Sequence, residues 1–214
     1  MAKTFLITTP EYDPTTDYVS KWSQEIVKTA ENNGFNVINL KKEKANRKEL
    51  ESRLTKSNPT FVMFNGHGNQ DEVHGHNDQA LLKTDENDHI LKDTVVYARS
   101  CDSLTRLGKS CSKKGTRAFV GYSMPFMFFA DPGRTTNPTK DELAAPCFIS
   151  SNVIPSSLLK GNNVREAVEK FRDQTNKLIA LWKTKSDMEA SFVIGCLMWN
   201  KLALGIEGDD NATV

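Results

Sequence analysis

A thiol and an imidazole each stand at the end of an apolar run. Phe61-Val62-Met63-Phe64-Asn65-Gly66-His67-Gly68 delivers a histidine between two glycines. Thr94-Val95-Val96-Tyr97-Ala98-Arg99-Ser100-Cys101-Asp102-Ser103 delivers a cysteine. A thiol with an ordinary pKa of about 8.5 is only a few per cent thiolate at neutral pH. A neighbouring imidazole and a helix N-terminus both raise that fraction. Cys101 is expected to have both: His67 from the next strand, and a helix beginning at Asp102 to Ser103. The glycines beside His67 let backbone approach a substrate closely. The N–H groups of Gly68 and Cys101 are natural donors to an oxyanion. This is the equipment for nucleophilic attack on a carbonyl.

Such a pair works only if the chain brings both ends to one place. Continuous apolar, β-branched or aromatic runs of this length fit strands buried on both faces, as in a parallel sheet. Ligands of open parallel sheets bind beyond the carboxyl ends of the strands. The pattern over residues 3–122 is β-α-β-α-β-loop-β-α-β, which predicts right-handed crossovers. Strands are expected at 3–8, 35–40, 61–65, 94–100 and 117–122. One helix is expected from Thr16 through Ala30, and a short one is capped by Asn46 and Glu49. Val73 and Ala80-Leu81-Leu82 suggest a small hairpin. Leu104, Leu107 and Cys111 share a helical face directly after Cys101. Residues 123–146 form a long loop with an aromatic start and a Pro- and Gly-rich remainder. Three helices follow, the second capped by Asn163 and Glu166, the third by Ser186 and Glu189. The third, around 192–199, is apolar nearly all round and is expected to be deeply packed. A last strand at 202–206 is expected to be antiparallel, and the tail beyond it to fray.

The two motifs together resemble the caspase-like cysteine peptidases, the clan that holds caspases, legumain, separase, gingipains and CHAT-domain proteases. Asn65-Gly66-His67-Gly68 matches their strand-His-Gly block. Ala98-Arg99-Ser100-Cys101-Asp102-Ser103, some thirty-odd residues later, resembles the Ala-Cys-Glu-Ser form of the CHAT and legumain branches. Arg117-Ala118-Phe119-Val120-Gly121-Tyr122 is similar to the next strand of the CHAT and gingipain branches, and Gly208-Asp209 to their C-terminal end. The resemblance implies a single caspase-like peptidase domain over 1–214. It implies a three-layer α/β fold, with a mostly parallel sheet of about six strands and helices on both faces. It implies an endopeptidase with a His67–Cys101 dyad, an oxyanion hole at Gly68 and Cys101, and an acyl-enzyme intermediate. No cofactor and no metal is expected. The partners expected are a protein or peptide substrate and a regulatory protein. Arg99-Ser100 departs from the common pattern before the cysteine. The residue selected before the scissile bond is therefore open, with Arg99, Asp102, Asp131 and Arg134 as candidates to line its pocket.

Two other classes compete. His74-Gly75-His76-Asn77-Asp78 begins like the His-x-His-x-Asp-His run of metallo-hydrolases, but position 79 is Gln, so the final ligand is missing. The same fold could also serve as a catalytically silent binding scaffold, against which the retention of both His67 and Cys101 speaks. The 214 residues carry a formal net charge of +1, which gives no reason to expect nucleic acid or an anionic membrane as partner. No apolar run approaches the roughly 20 residues needed to span a bilayer. Met1 to Ile7 is too short an apolar core for a signal peptide, so a cytoplasmic protein is expected. Cys101, Cys111, Cys147 and Cys196 lack CxxC spacing and are expected to stay reduced, the last three as core thiols.

Overall fold

The structure is a computed structural model that describes residues 3–214. Met1 and Ala2, which open the stretch read above for a leader, lie outside the described residues. Strands β1 (Thr4–Thr9), β2 (Asn36–Lys41), β3 (Phe61–Asn65), β6 (Val95–Arg99), β7 (Ala118–Tyr122) and β8 (Leu204–Gly208) form one sheet in the order β2-β1-β3-β6-β7-β8. All neighbours are parallel except β7 and β8. A separate antiparallel hairpin joins β4 (Glu72–His74) to β5 (Ala80–Lys83). The fold is therefore the mostly parallel six-stranded α/β architecture expected, with an antiparallel edge.

Strands β1, β3, β6 and β7 are buried along their whole length. Their alternate side chains feed two cores. Phe5, Ile7, Phe61, Met63, Tyr97 and Val120 face one layer, built from helices α2 (Gln24–Asn32), α5 (Ala145–Leu159) and α6 (Val164–Trp182). Leu6, Val62, Phe64, Val96, Ala98 and Phe119 face the other, built from α3 (Arg47–Ser57), the hairpin, and α4 (Lys109–Lys113). Truncating one of these phenylalanines to Ala costs about 3–5 kcal/mol.

Several local expectations are corrected. The helix predicted over 16–30 is two: α1 (Pro14–Trp22) ends at Ser23, whose hydroxyl donates to the Val19 carbonyl and to Asn65 Oδ1, and α2 begins afresh. Helix α7 (Met188–Ala203) is capped by Asp187, whose carboxylate accepts from the Ala190 amide, not by Ser186. It runs through Ala203, so β8 starts two residues later than expected. Nor is α7 deeply packed: Phe192 is 51 % exposed and Leu202 75 %. It rests on α5 and α6 through Val193, Cys196 and Leu197, outside the sheet layers. The tail does not fray. Ala212 and Val214 are buried, and the Val164 amide donates to the Ala212 carbonyl. The hairpin, the Asn163–Glu166 capping box and the Asn46 cap form as the sequence predicts.

Candidate active site

Strands β3 and β6 are adjacent, with Asn65 opposite Arg99. Two residues further on each, at the carboxyl rim, stand His67 and Cys101. The two turns touch. A methyl group on Gly68 would lie 3.0 Å from Ser100 Cβ and 3.2 Å from the Cys101 carbonyl oxygen. Gly66 has φ +146°, and a side chain there would meet the His74 carbonyl at 2.5 Å. Both positions need glycine, because the hairpin and the cysteine turn crowd the histidine turn from two sides. Among the described residues, neither the Gly68 nor the Cys101 amide donates to a protein acceptor. Both remain available as a pair of donors.

A buried network fixes the rim. The Asn65 amide side chain donates to the Thr8 carbonyl at 2.9 Å and its oxygen accepts from the Ser23 hydroxyl at 3.1 Å. This joins β1, β3 and the α1–α2 break behind His67. The ring itself is oriented by a residue that the sequence reading did not single out. His67 Nε2 lies 2.7 Å from Asp13 Oδ2. Asp13 also caps α1: its other oxygen accepts from the Thr16 amide at 2.7 Å, and Pro14 opens the helix. Burial alone would push the Asp13 carboxyl up, but the Thr16 amide and the His67 ring outweigh it and hold it below the usual carboxylate range. The signal was present as Asp-Pro-Thr-Thr, an N-cap before a first-turn proline. His67 Nδ1 has no protein partner among the described residues.

Cys101 is half-buried, while Cys111, Cys147 and Cys196 are buried. The sequence predicts a helix start directly after Cys101, but Asp102 is left-handed at φ +55°. The following turn, Leu104–Gly108, is a wide π turn before the five-residue α4. The cause is local. The Leu107 amide donates to the Gln70 carbonyl, so the Ser103 carbonyl accepts instead from Gly108, five residues on. No long helix dipole acts on the sulfur. Burial pushes the Cys101 thiol up, the Phe126 amide opposes this, and the Asp102 charge adds to the rise. These influences do not favour the thiolate-rich sulfur that the sequence leads one to expect.

Arg99 is buried. Its guanidinium hydrogen-bonds Asn152 Oδ1 and Ser23 Oγ, and lies 5.6–5.9 Å from the ring centres of Tyr97, Phe126 and Phe148. Among the described residues no carboxylate pairs with it, and its Nε has no acceptor. Phe126 thus covers Arg99 with its ring and faces Cys101 with its amide. The loop that carries Phe126 leaves β7 at the same rim, and the Met124 carbonyl accepts from the Asp102 amide at 3.5 Å. Further along it, Asp131 caps the exposed turn Pro132–Arg134 and lies 3.8 Å from the Arg134 guanidinium. Buried Asp141 ties this loop to α1, accepting from the Tyr18 hydroxyl at 2.7 Å and the Asp131 amide at 2.9 Å.

On the hairpin side, Tyr12, Asp13, His67, Gly68, His74 and Asp78 line an open cleft of about 360 Å³. Burial, then the Asp78 and Asp13 charges, push the Tyr12 hydroxyl pKa up. Both ring nitrogens of His74 face carboxylates, Asp78 at 2.7 Å and Glu72 at 3.1 Å. His76 Nδ1 donates to the Pro10 carbonyl. The run 74–78 is thus spent on contacts within the chain, and among the described residues no group of three or more His, Cys, Asp or Glu is arranged to hold a metal ion. No described helix is long and apolar enough to cross a membrane.

No protein-family model and no curated protein sequence matches this chain. Solved structures do. The complex of the Porphyromonas gingivalis RgpB pro- and mature domains superposes with a TM-score of 0.62 at 10 % identity, covering 99 % of this chain and 48 % of that one. The Arg specific cysteine proteinase gingipain R (RGPB) superposes with a TM-score of 0.56 at 11 % identity, covering 99 % of this chain and 47 % of that one. At such identity the likeness establishes the fold. The chain spans about half the length of these two proteins.

Proposed function

We propose that the chain is a cysteine endopeptidase in which Cys101 is the nucleophile and His67 the general base and acid. The observation that carries this reading is the contact of the two rim turns, with Gly68 pressed against Ser100 and Cys101 and the two amides left unpaired. With burial pushing the thiol up, the dyad operates without a resting ion pair. His67 takes the thiol proton as the sulfur attacks a peptide carbonyl. The Gly68 and Cys101 amides hold the oxyanion, a contribution of about 10²–10³ in rate per donor. His67 returns the proton to the leaving amine, a thioester remains on Cys101, and water releases it with His67 again as base. Asp13 orients the ring and stabilises its charged form, the part of the third member in a triad.

We assign selection of the residue before the scissile bond to Arg99. A buried guanidinium without a carboxylate is costly, and stacking on aromatic rings offsets only about 2 kcal/mol of that. An acidic substrate side chain that displaces Phe126 would supply the missing partner two residues from Cys101. Asp131 and Arg134 already neutralise one another on their exposed turn, so they and Asp102 are left for outer contacts. The experiment is cleavage profiling of a diverse peptide library by mass spectrometry with wild type, Cys101→Ser and His67→Ala. The reading expects cleavage after acidic residues in wild type and none in Cys101→Ser. Cleavage that survives Cys101→Ser would end the peptidase assignment. Cleavage after basic residues would leave the dyad standing and remove Arg99 from the pocket.

A further inference from the structure

Helix α7 carries an apolar face that its own chain does not cover. Met188 is 74 % exposed, Phe192 51 %, Met198 50 %, Trp199 37 % and Leu202 75 %. At about 100° per residue these five, with Ser191 and Gly195, fall within an arc of roughly 120°. No charged residue lies within that arc. The opposite side of the helix, through Val193, Cys196 and Leu197, packs on α5 and α6.

Gly195 sits at the centre of the arc and midway along it, seven residues from Met188 and seven from Leu202. A side chain there would meet nothing within 4 Å. A mid-helix glycine lowers helix stability relative to Ala, and nothing within this chain needs one at 195. A second backbone passing closely over that point would need it. We propose that α7 is the contact helix of a homodimer, crossing the α7 of a second copy at Gly195.

Three features select a second copy over other occupants. The exposed surface of these residues is roughly 550–600 Å², at the upper end of the largest patch on a typical monomer and approaching the ~800 Å² per partner of a stable interface. An interface without charges in its centre is the kind formed by permanent homodimers. The face is also self-complementary. In an antiparallel crossing at Gly195, Trp199 of one copy meets Phe192 of the other, twice by symmetry, and Leu202 meets Met188. The ends of the helix carry Asp187 and Glu189 on one side and Lys201 on the other, not the cationic frame of a helix that lies on an anionic membrane.

The contact would also bear on the rim described above. The Phe192 ring stacks on Phe129 with centres 5.1 Å apart, and Trp199 Nε1 donates to the Pro125 carbonyl at 2.8 Å. A second copy would press on the loop that carries Phe126.

The test is sedimentation equilibrium of the full chain across about two decades of concentration, with Met188→Glu, Leu202→Glu and Gly195→Ala. Wild type is expected to dimerise. Each glutamate variant is expected to weaken association by on the order of 100-fold, with circular dichroism unchanged because neither side chain packs within the chain. Gly195→Ala separates the contact from ordinary helix stability. It is expected to raise the melting temperature of the dilute monomer by roughly 2–4 °C and yet weaken association. A wild type that stays monomeric throughout would overturn the proposal, as would dimers untouched by both glutamates. A monomer that co-sediments with phosphatidylserine vesicles, and loses this in Leu202→Glu, would overturn it in favour of a membrane surface.

Discussion

Replacing Asp13 by Asn should separate its two duties. As an N-cap, Asn serves about as well as Asp, so the bond to the Thr16 amide is retained. As the partner of His67 at 2.7 Å, Asn removes the negative charge that stabilises imidazolium and presents an amide that can pair with the wrong tautomer. The expected loss is about 10²–10⁴ in kcat, with the helix cap retained and the melting temperature lowered less than in Asp13→Ala. Asp13→Ala loses the cap as well, at about 1 kcal/mol, which lowers the melting temperature by roughly 2–4 °C for a chain of this length. The pH dependence gives an independent reading. The folded-state pKa of Asp13 lies below its unfolded value. Its contribution is thus fully present above the unfolded pKa of about 3.9 and lost as pH falls through the lower folded value. The Asp13→Asn change should flatten that part of the acid-unfolding curve and leave the rest. Steady-state kinetics on a cleaved peptide and acid titrations followed by circular dichroism supply both measurements. An Asp13→Asn enzyme with unchanged kcat would refute the orienting role, even if its acid limb changed as expected.

Other consequences are as direct. Alkylation of Cys101 by iodoacetamide should climb about tenfold per pH unit through pH 8.5, since burial raises this thiol; a plateau below pH 7 would show a resting thiolate instead. Peptide mapping after limited alkylation should find Cys101 modified first and buried Cys111 last, because burial also pushes the Cys111 thiol up. Gly68→Ala should destabilise by about 1–3 kcal/mol and abolish cleavage, its methyl group forcing the histidine turn away from Ser100; wild-type activity in that variant would deny the close contact. Asp141→Ala should cost about 2–4 kcal/mol, because the Tyr18 hydroxyl and the Leu143 and Ala144 amides lose a buried acceptor; thermal melts would show it.

The residues that announce themselves in the sequence are those whose local pattern and tertiary role agree. The apolar runs ending at His67 and Cys101 are buried on both faces, and burial on both faces is what makes a run continuous. The Asn163–Glu166 box and the Asn46 cap start their helices by bonds to near neighbours, so short-range signals suffice. What the sequence hides is set by distant contacts. The break at Ser23 comes from a hydroxyl that finds Asn65, 42 residues away in the chain. The π turn after Cys101 comes from Gln70 capturing the Leu107 amide. Asp13 reads as a loop residue between prolines until β1 brings it to the same rim as His67. The composition of α7 reads as core because apolarity marks burial, but it does not say by which chain. Arg99 reads as one of four candidates for the pocket, and nothing in the local pattern shows that it is among the largest fully buried side chains.

The central claim is that Cys101 is acylated at a rim where His67 moves the proton. Its most direct test is intact-mass and peptide-level mass spectrometry after incubation with a mixture of peptidyl acyloxymethyl ketones that differ in the residue before the reactive carbon. One adduct per chain is expected, on Cys101. It should be absent in Cys101→Ser and slowed by on the order of 10² or more in His67→Ala, with the acidic members of the mixture incorporated preferentially. An adduct on Cys196 or another cysteine, or labelling of Cys101 at the same rate without His67, would contradict it.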